Sequence, residues 1–188
     1  MSIPGNVRRS RSDDPVVIIV MGVTASGKTT LAHELADRTK GWLVEGDDHH
    51  PASNIAKMIS GVPLQDEDRW PWLDRLADAI RQSIAQNHVT ICTCSALKRS
   101  YRDRLRLAVN RQLWFVCLQA DKSVLERRSA GRSGHFMPQS LLSSQLNVLE
   151  LPDDEDDAFV LSSENSRDEL VRAVLHRLRL TAPDGAGA

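Results

Sequence analysis

The stretch "PVVIIVMGVTASGKTTLAHELA" (15–36) constrains this chain more than any other. Val16 to Met21 run without a polar interruption, as expected of a strand buried on both faces of a parallel sheet. Gly22 to Thr29 then fit the pattern G-x-x-x-x-G-K-[ST]. Leu31, Ala32, Leu35 and Ala36 follow at the spacing of one helix face. Strand, glycine loop and helix, in that order, are the context the pattern needs. Gly22 and Gly27 allow a tight turn, and Val23, Thr24, Ala25 and Ser26 between them supply N–H groups that converge on phosphate oxygens. The helix N-terminus, running from Lys28 through Thr29 and Thr30, adds its positive dipole end. Lys28 is placed to reach the β- and γ-phosphates, and the Thr29 hydroxyl to hold Mg²⁺. The expected ligand is a nucleoside triphosphate with magnesium. No guanine-reading N-K-x-D occurs, and the signature of an ABC-type ATPase is missing, so a small-molecule or nucleotide kinase is the natural class.

The rest of the chain alternates strand and helix. "WLVEGD" (42–47), "VTICTC" (89–94), "LWFVCL" (113–118) and "AFVL" (158–161) read as further strands. A helix is expected over 71–86, with Pro71 in its first turn and Leu73, Leu76, Ala77, Ile80 and Ile84 as its apolar stripe. Another lies between the strands at 89–94 and 113–118. Pro138 opens one carrying Leu141, Leu142, Leu146 and Leu149, and "SRDE" (166–169) is a capping box before the last. With no repeat and no linker, this predicts one three-layer α/β domain over residues 15–180, built on a parallel five-stranded sheet. Residues 1–14 and 181–188 read as frayed ends, and "PDDEDD" (152–157) as a solvated loop.

The net charge of −1 gives no pull toward nucleic acid or an anionic membrane. The longest apolar run is too short to span a bilayer. Cys92, Cys94 and Cys117 all fall in expected buried strands, where a thiol packs as a small hydrophobe. Their odd number gives no disulfide framework and suits a reducing cytoplasm.

The stretch "EGDDHHP" (45–51) lies just past the second strand, at the carboxyl edge of the sheet, where ligands sit in open α/β folds. Phosphoryl transfer to an alcohol needs a carboxylate to orient the hydroxyl and take its proton. Asp47, behind Gly46, is the candidate; the alternative is a turn-capping Asp. His50, held extended by Pro51, is a candidate hydrogen-bonding group for a polar substrate, while Asp48 and His49 are expected at the surface. A metal site here is disfavoured by the spacing.

Three blocks, "GDDHHPASNIAKMISGVPLQDEDRWPWL" (46–73), "CSALKRSYRDRLR" (94–106) and "GHFMPQSLLSSQLNVLE" (134–150), following such a phosphate loop, resemble the P-loop gluconokinases. The resemblance runs from about Val16 to Glu150. It implies ATP-dependent phosphorylation of D-gluconate at its 6-hydroxyl, a P-loop kinase fold of the adenylate-kinase type, and a homodimer. Carried over by position, residues 22–30 hold ATP, and Asp47 and His50 match the acid and histidine beside the substrate. Arg69 and Lys98 match the basic positions facing the sugar acid. Arg128, Arg132, His135 and Gln145 match the lid and the helix beyond it. The chemistry of the residues agrees: a guanidinium at Arg69 can grip a carboxylate with two parallel bonds, and Lys98 follows a buried strand. For both, a surface salt bridge is the alternative. "ERRSAGRSGHF" (126–136), with its arginines and Gly131 and Gly134, reads as a mobile lid over about 121–137 that closes on the phosphates through Arg128 and Arg132; a basic solvated helix is the alternative. The chain departs from the family pattern at Thr24-Ala25, often Ser-Gly, at Glu45, often Asp or Ala, and after Leu161, where the match is weak. Another small-molecule kinase, shikimate-type, and a non-catalytic nucleotide-binding module are the rival functions.

Overall fold

The computed structural model describes residues 14–130 and 140–180. Five parallel strands form one sheet in the order β2-β3-β1-β4-β5: β1 (Val16–Met21), β2 (Trp42–Val44), β3 (Val89–Thr93), β4 (Leu113–Gln119) and β5 (Ala158–Ser162). The seven helices among the described residues are α1 (Lys28–Thr39), α2 (Ala52–Ile59), α3 (Asp66–Ile84), α4 (Arg99–Val109), α5 (Lys122–Ala130), α6 (Ser140–Val148) and α7 (Arg167–Leu178). The central strand β1 explains its own sequence. Val17, Ile19 and Met21 enter one apolar layer with α3 and α4, while Ile18 and Val20 enter another with α1 and α7. Helices on both faces leave no polar side for the strand to show, so its apolar run is unbroken. The three-layer α/β reading holds.

Cys92, Cys94 and Cys117 are buried in this core as expected. Burial raises the Cys94 thiol to about 12 and the Cys117 thiol to about 11, so neither is a reactive thiolate. The Ser166–Glu169 capping box also forms.

Three local readings change. Helix α3 starts at Asp66, five residues before Pro71, because Gln65 and Asp68 close a reciprocal cap that outranks the proline signal. Pro71 sits inside the helix, so Arg69 is helical rather than ahead of the helix. The segment after β2 is a 3₁₀ turn, Gly46–His49, followed by α2 rather than an extension of the strand.

The third change concerns "PDDEDD", which is not simply solvated. Glu155 is buried and accepts hydrogen bonds from the guanidinium of Arg102, itself 1% exposed, and pairs with Arg106. Arg106 also bonds Asp157 at 2.6 Å and lies over the Phe115 ring. Arg102 donates onward to the carbonyls of Ala96 and Glu150, at 3.0 and 3.1 Å. This cluster fastens the loops after β3 and α6 to α4. Removing one partner strands a buried charge, which costs about 3–5 kcal/mol. Glu155→Ala is therefore expected to lower Tm by roughly 6–20 °C, at about 2–4 °C per kcal/mol for a chain of this size. A melt within about 2 °C of wild type would refute the assignment. Burial opposes ionisation of Glu155, but the Arg102 and Arg106 bonds outweigh it and hold the carboxyl below its ordinary 4.5. The folded state thus binds fewer protons there. Its stabilisation is full above pH 4.5 and fades as pH falls through the lowered value.

Candidate active site

All five strands end at one edge, and the loops leaving that edge build the site. The phosphate loop comes first. Gly22 has φ +132°, and a Cβ there would stand 2.6 Å from the Leu118 carbonyl oxygen, so the loop closes only around glycine. Ala25 takes φ 61°, in the left-handed region. That accounts for the glycine common at this position in the resembled family: the alanine keeps the cradle at a cost of about 1–2 kcal/mol. The Lys28 ammonium folds back over the loop, donating to the Val23 carbonyl at 2.9 Å. Val23 itself is buried with Leu97, Leu125 and Leu142, which seats α5 and α6 against the loop.

The exit of β2 is clamped to the exit of β3. The Gly46 N–H donates to Thr93 Oγ1 at 3.0 Å, and Thr93 Oγ1 donates to Glu45 Oε2 at 2.6 Å. Trp72 Nε1 donates to the Gly46 carbonyl at 2.7 Å. A Cβ on Gly46 would lie 2.0 Å from the Thr93 carbonyl oxygen. So tight a junction turns the chain outward, and Asp47 lines the same cleft as Lys28 and Thr29 of the phosphate loop. His50 is 8% exposed and stacks on Trp72, ring centroids 4.1 Å apart. Its Nε2 is 4.0 Å from Asp47 Oδ1. Burial is the main reason its pKa falls to about 4; Asp47 pulls it up, while Arg69 and His49 push it down. His50 is neutral at pH 7.

One cleft is lined by Lys28, Thr29, Asp47, His50, Arg69 and Gln145, six positions that the sequence separates by up to 117 residues, 145 − 28. Gln145 reaches the phosphate loop, where its Oε1 accepts from the Thr24 N–H at 2.6 Å. Arg69 is 8% exposed. It makes no ion pair among the described residues. Its Nε has no hydrogen-bond partner there, and its Nη2 only grazes the Leu64 carbonyl at 3.5 Å. A buried guanidinium without a carboxylate is costly, and here it faces open space that an anion can fill. Lys98 lines an adjoining cavity that shares Arg69, Leu64 and Ser144 with the first. Its ammonium is taken by Asp66 at 2.7 and 2.8 Å, beside Tyr101.

Arg128 lies in the last turn of α5 and donates to Ser163 Oγ and to the Ser163 carbonyl, at 2.8 and 2.9 Å. With Asn165 and Arg167 it borders a third cavity on the opposite side of the phosphate loop, reached by Ser26, Gly27 and Thr30. The loop is thus the wall between two cavities. Of the expected lid, residues 122–130 are helical. Residues 131–137 of it, with Arg132 and His135, lie outside the described residues. Thr93, Trp72 and Asp66 had no signal in the sequence: the β2–β3 pairing brings in Thr93, and the packing of α3 brings in Trp72 at Gly46 and Asp66 at Lys98.

A family model described as an AAA domain matches residues 17–152, from β1 to just past α6. A gluconokinase of Gluconobacter oxydans is 41% identical over 165 residues, 88% of this chain and 92% of that protein. The thermosensitive gluconokinase of Escherichia coli is 45% identical over 74% of each. Among solved structures, a sugar kinase from Janibacter sp. HTCC2649 superposes with a TM-score of 0.82 at 43% identity, covering 88% of this chain and 95% of that one. A gluconokinase from Sinorhizobium meliloti gives 0.75 at 44%, covering 87% and 93%. Identity of this order over most of both chains, in one shared fold, is what common descent leaves behind: the chain belongs to the gluconokinase family.

Proposed function

We propose that this chain transfers the γ-phosphoryl group of ATP to the 6-hydroxyl of D-gluconate, giving 6-phospho-D-gluconate and ADP. The observation that carries the reading is the one cleft in which the phosphate loop meets Asp47, His50 and the buried Arg69, which has no ion-pair partner among the described residues. A linear polyol ending in a carboxylate matches that layout, with its anionic end on Arg69 and its alcohols toward Asp47 and His50. Lys98 lies one cavity further, close enough to take part if the substrate displaces Asp66 from it.

In this reading the backbone N–H groups of residues 22–30 hold the phosphates, and Lys28 leaves the Val23 carbonyl to reach the transferred group. The base of the nucleotide lies on the other side of the loop, between Arg128 and the segment 163–167. Asp47 orients the hydroxyl and accepts its proton. Arg128 and Arg132 approach the phosphates on closure, His135 joins the substrate side, and Gln145 braces the loop through Thr24. The Thr29 hydroxyl lines the cleft beside Lys28 and is a hard oxygen donor suited to Mg²⁺. When bound, that ion offsets the charge developing on the phosphates. The homodimer and the cytoplasmic setting belong to the same reading; among the described residues no helix is long and apolar enough to cross a membrane.

The test is an ADP-release assay with ATP and a panel of D-gluconate, its stereoisomers, shikimate and nucleoside monophosphates, with the product identified by mass spectrometry. Gluconate should stimulate release far above the rest and yield the 6-phosphate. Preference for shikimate or a nucleotide would replace the substrate. ATP binding with no acceptor-stimulated release would make the protein a nucleotide-binding module.

A further inference from the structure

Asn54, in the first turn of α2, holds no role in the scheme above, yet it is 2% exposed and touches the imidazole that lines the cleft. Its side-chain amide nitrogen makes two contacts. Nδ2 donates to the Asp68 carbonyl at 2.8 Å and lies 3.3 Å from His50 Nδ1. A carbonyl can only accept, so the Asp68 contact fixes which end of the amide faces inward. Nδ2 must point there, because Oδ1 would set two acceptors against each other. Nδ2 itself can only donate. His50 Nδ1 must therefore offer a lone pair, and the one proton of the neutral ring must sit on Nε2.

The other groups around the ring are consistent with this. Trp72 covers one face of it. Arg69 and His49 disfavour a second proton, and burial does so more strongly. Asp47 lies beyond Nε2, its Oδ1 4.0 Å away, too far for a direct hydrogen bond. That gap has a size. An oxygen about 2.8 Å from both atoms fits it, with an angle of roughly 90° at the oxygen.

We propose that Asn54 is a positioning residue: it holds His50 with its proton on Nε2, so that His50 and Asp47 present one donor and one acceptor to a single hydroxyl of the acceptor substrate. This rests on the acceptor-side reading of the cleft given above. Two consequences follow from the chemistry. His50 has no lone pair facing the cleft and cannot serve as the general base, which leaves that work to Asp47. The pair also selects a group that both donates and accepts. An acceptor with a carbonyl or a bare methylene at that position loses one of the two bonds.

Long-range ¹H–¹⁵N spectra of the histidine rings, with His50 assigned from a His50→Gln sample, read the tautomer directly in the wild-type protein. The Nε2–H pattern is expected from pH 8 down to about 5.5, staying above the titration of the buried ring near 4. The Nδ1–H pattern, or an imidazolium at pH 7.5, would overturn the proposal without any variant having to fold. Asn54→Asp supplies an acceptor in place of the donor and should move the proton to Nδ1. With it, kcat/KM for the acceptor should fall about 10–100-fold, as when an outer partner of an active-site histidine is lost. The loss should lie mainly in KM for the acceptor, with KM for ATP within about twofold. An Asn54→Asp protein with a reversed tautomer and unchanged acceptor kinetics would also refute it. A wild-type protein that phosphorylates no polyol acid would fail the functional reading instead, while the spectrum still decides the tautomer.

Discussion

Asp47→Asn is expected to lower kcat for gluconate phosphorylation by about 10²–10⁴-fold, the usual range for a lost proton acceptor, with ATP binding almost unchanged. The substitution keeps the shape of the side chain and its capacity to accept a hydrogen bond through Oδ1, so the 3₁₀ turn should hold. What it removes is the charge and the basicity. Half of the Asp47 side chain is exposed, and its neighbours leave it free to face substrate. His50 cannot substitute for it, being neutral, buried and protonated toward the cleft. Isothermal titration with a non-hydrolysable ATP analogue and steady-state kinetics separate the two effects. If turnover stays within about threefold of wild type, the transition state is loose enough to need no base, and Asp47 only orients the alcohol.

Lys28→Ala should cost about 10²–10³-fold in kcat, comparable to deleting one preorganised donor from a site of developing charge. The ammonium donates to the Val23 carbonyl at 2.9 Å, so its charge lies at the loop that holds the phosphates. The lysine also neutralises ground-state phosphate, so ATP affinity should fall together with turnover. That is the contrast with Asp47→Asn: one variant injures both parameters, the other only the chemical step. The fold should tolerate both changes, since neither side chain enters the apolar layers. Near wild-type turnover for Lys28→Ala would place the positive charge that stabilises the transition state elsewhere, on Arg128 or Arg132.

The phosphate loop was legible because its function is carried by a contiguous backbone. Eight consecutive residues with two glycines at fixed offsets, Gly22 to Thr29, specify both the turn and its ligand. The place of Asp47 was legible for a related reason: the turn that follows β2 lies at the carboxyl edge of the sheet, and Asp47 lines the cleft there. The start of α3 was misread because a capping box four residues long, Gln65 to Asp68, competes with a proline signal, and only the reciprocal bonds show which wins. "PDDEDD" was only partly legible, because the partners of Glu155 and Asp157 lie 53 and 51 residues away, on Arg102 and Arg106 of α4.

By itself the sequence determined the alternation of strand and helix and the phosphate cradle, and it put a carboxylate at the same edge of the sheet, because local periodicity and short-range turn chemistry carry all of these. The tertiary structure alone decided which side chains became the walls. Trp72 and Asn54 serve the site because α3 packs against the exit of β2 and against α2, and Thr93 because β3 pairs with β2; hydrogen bonds of about 3 Å tie Gly46 and His50 in place. Such bonds depend on distances between segments far apart in the chain, and no pattern along the chain encodes a distance across it.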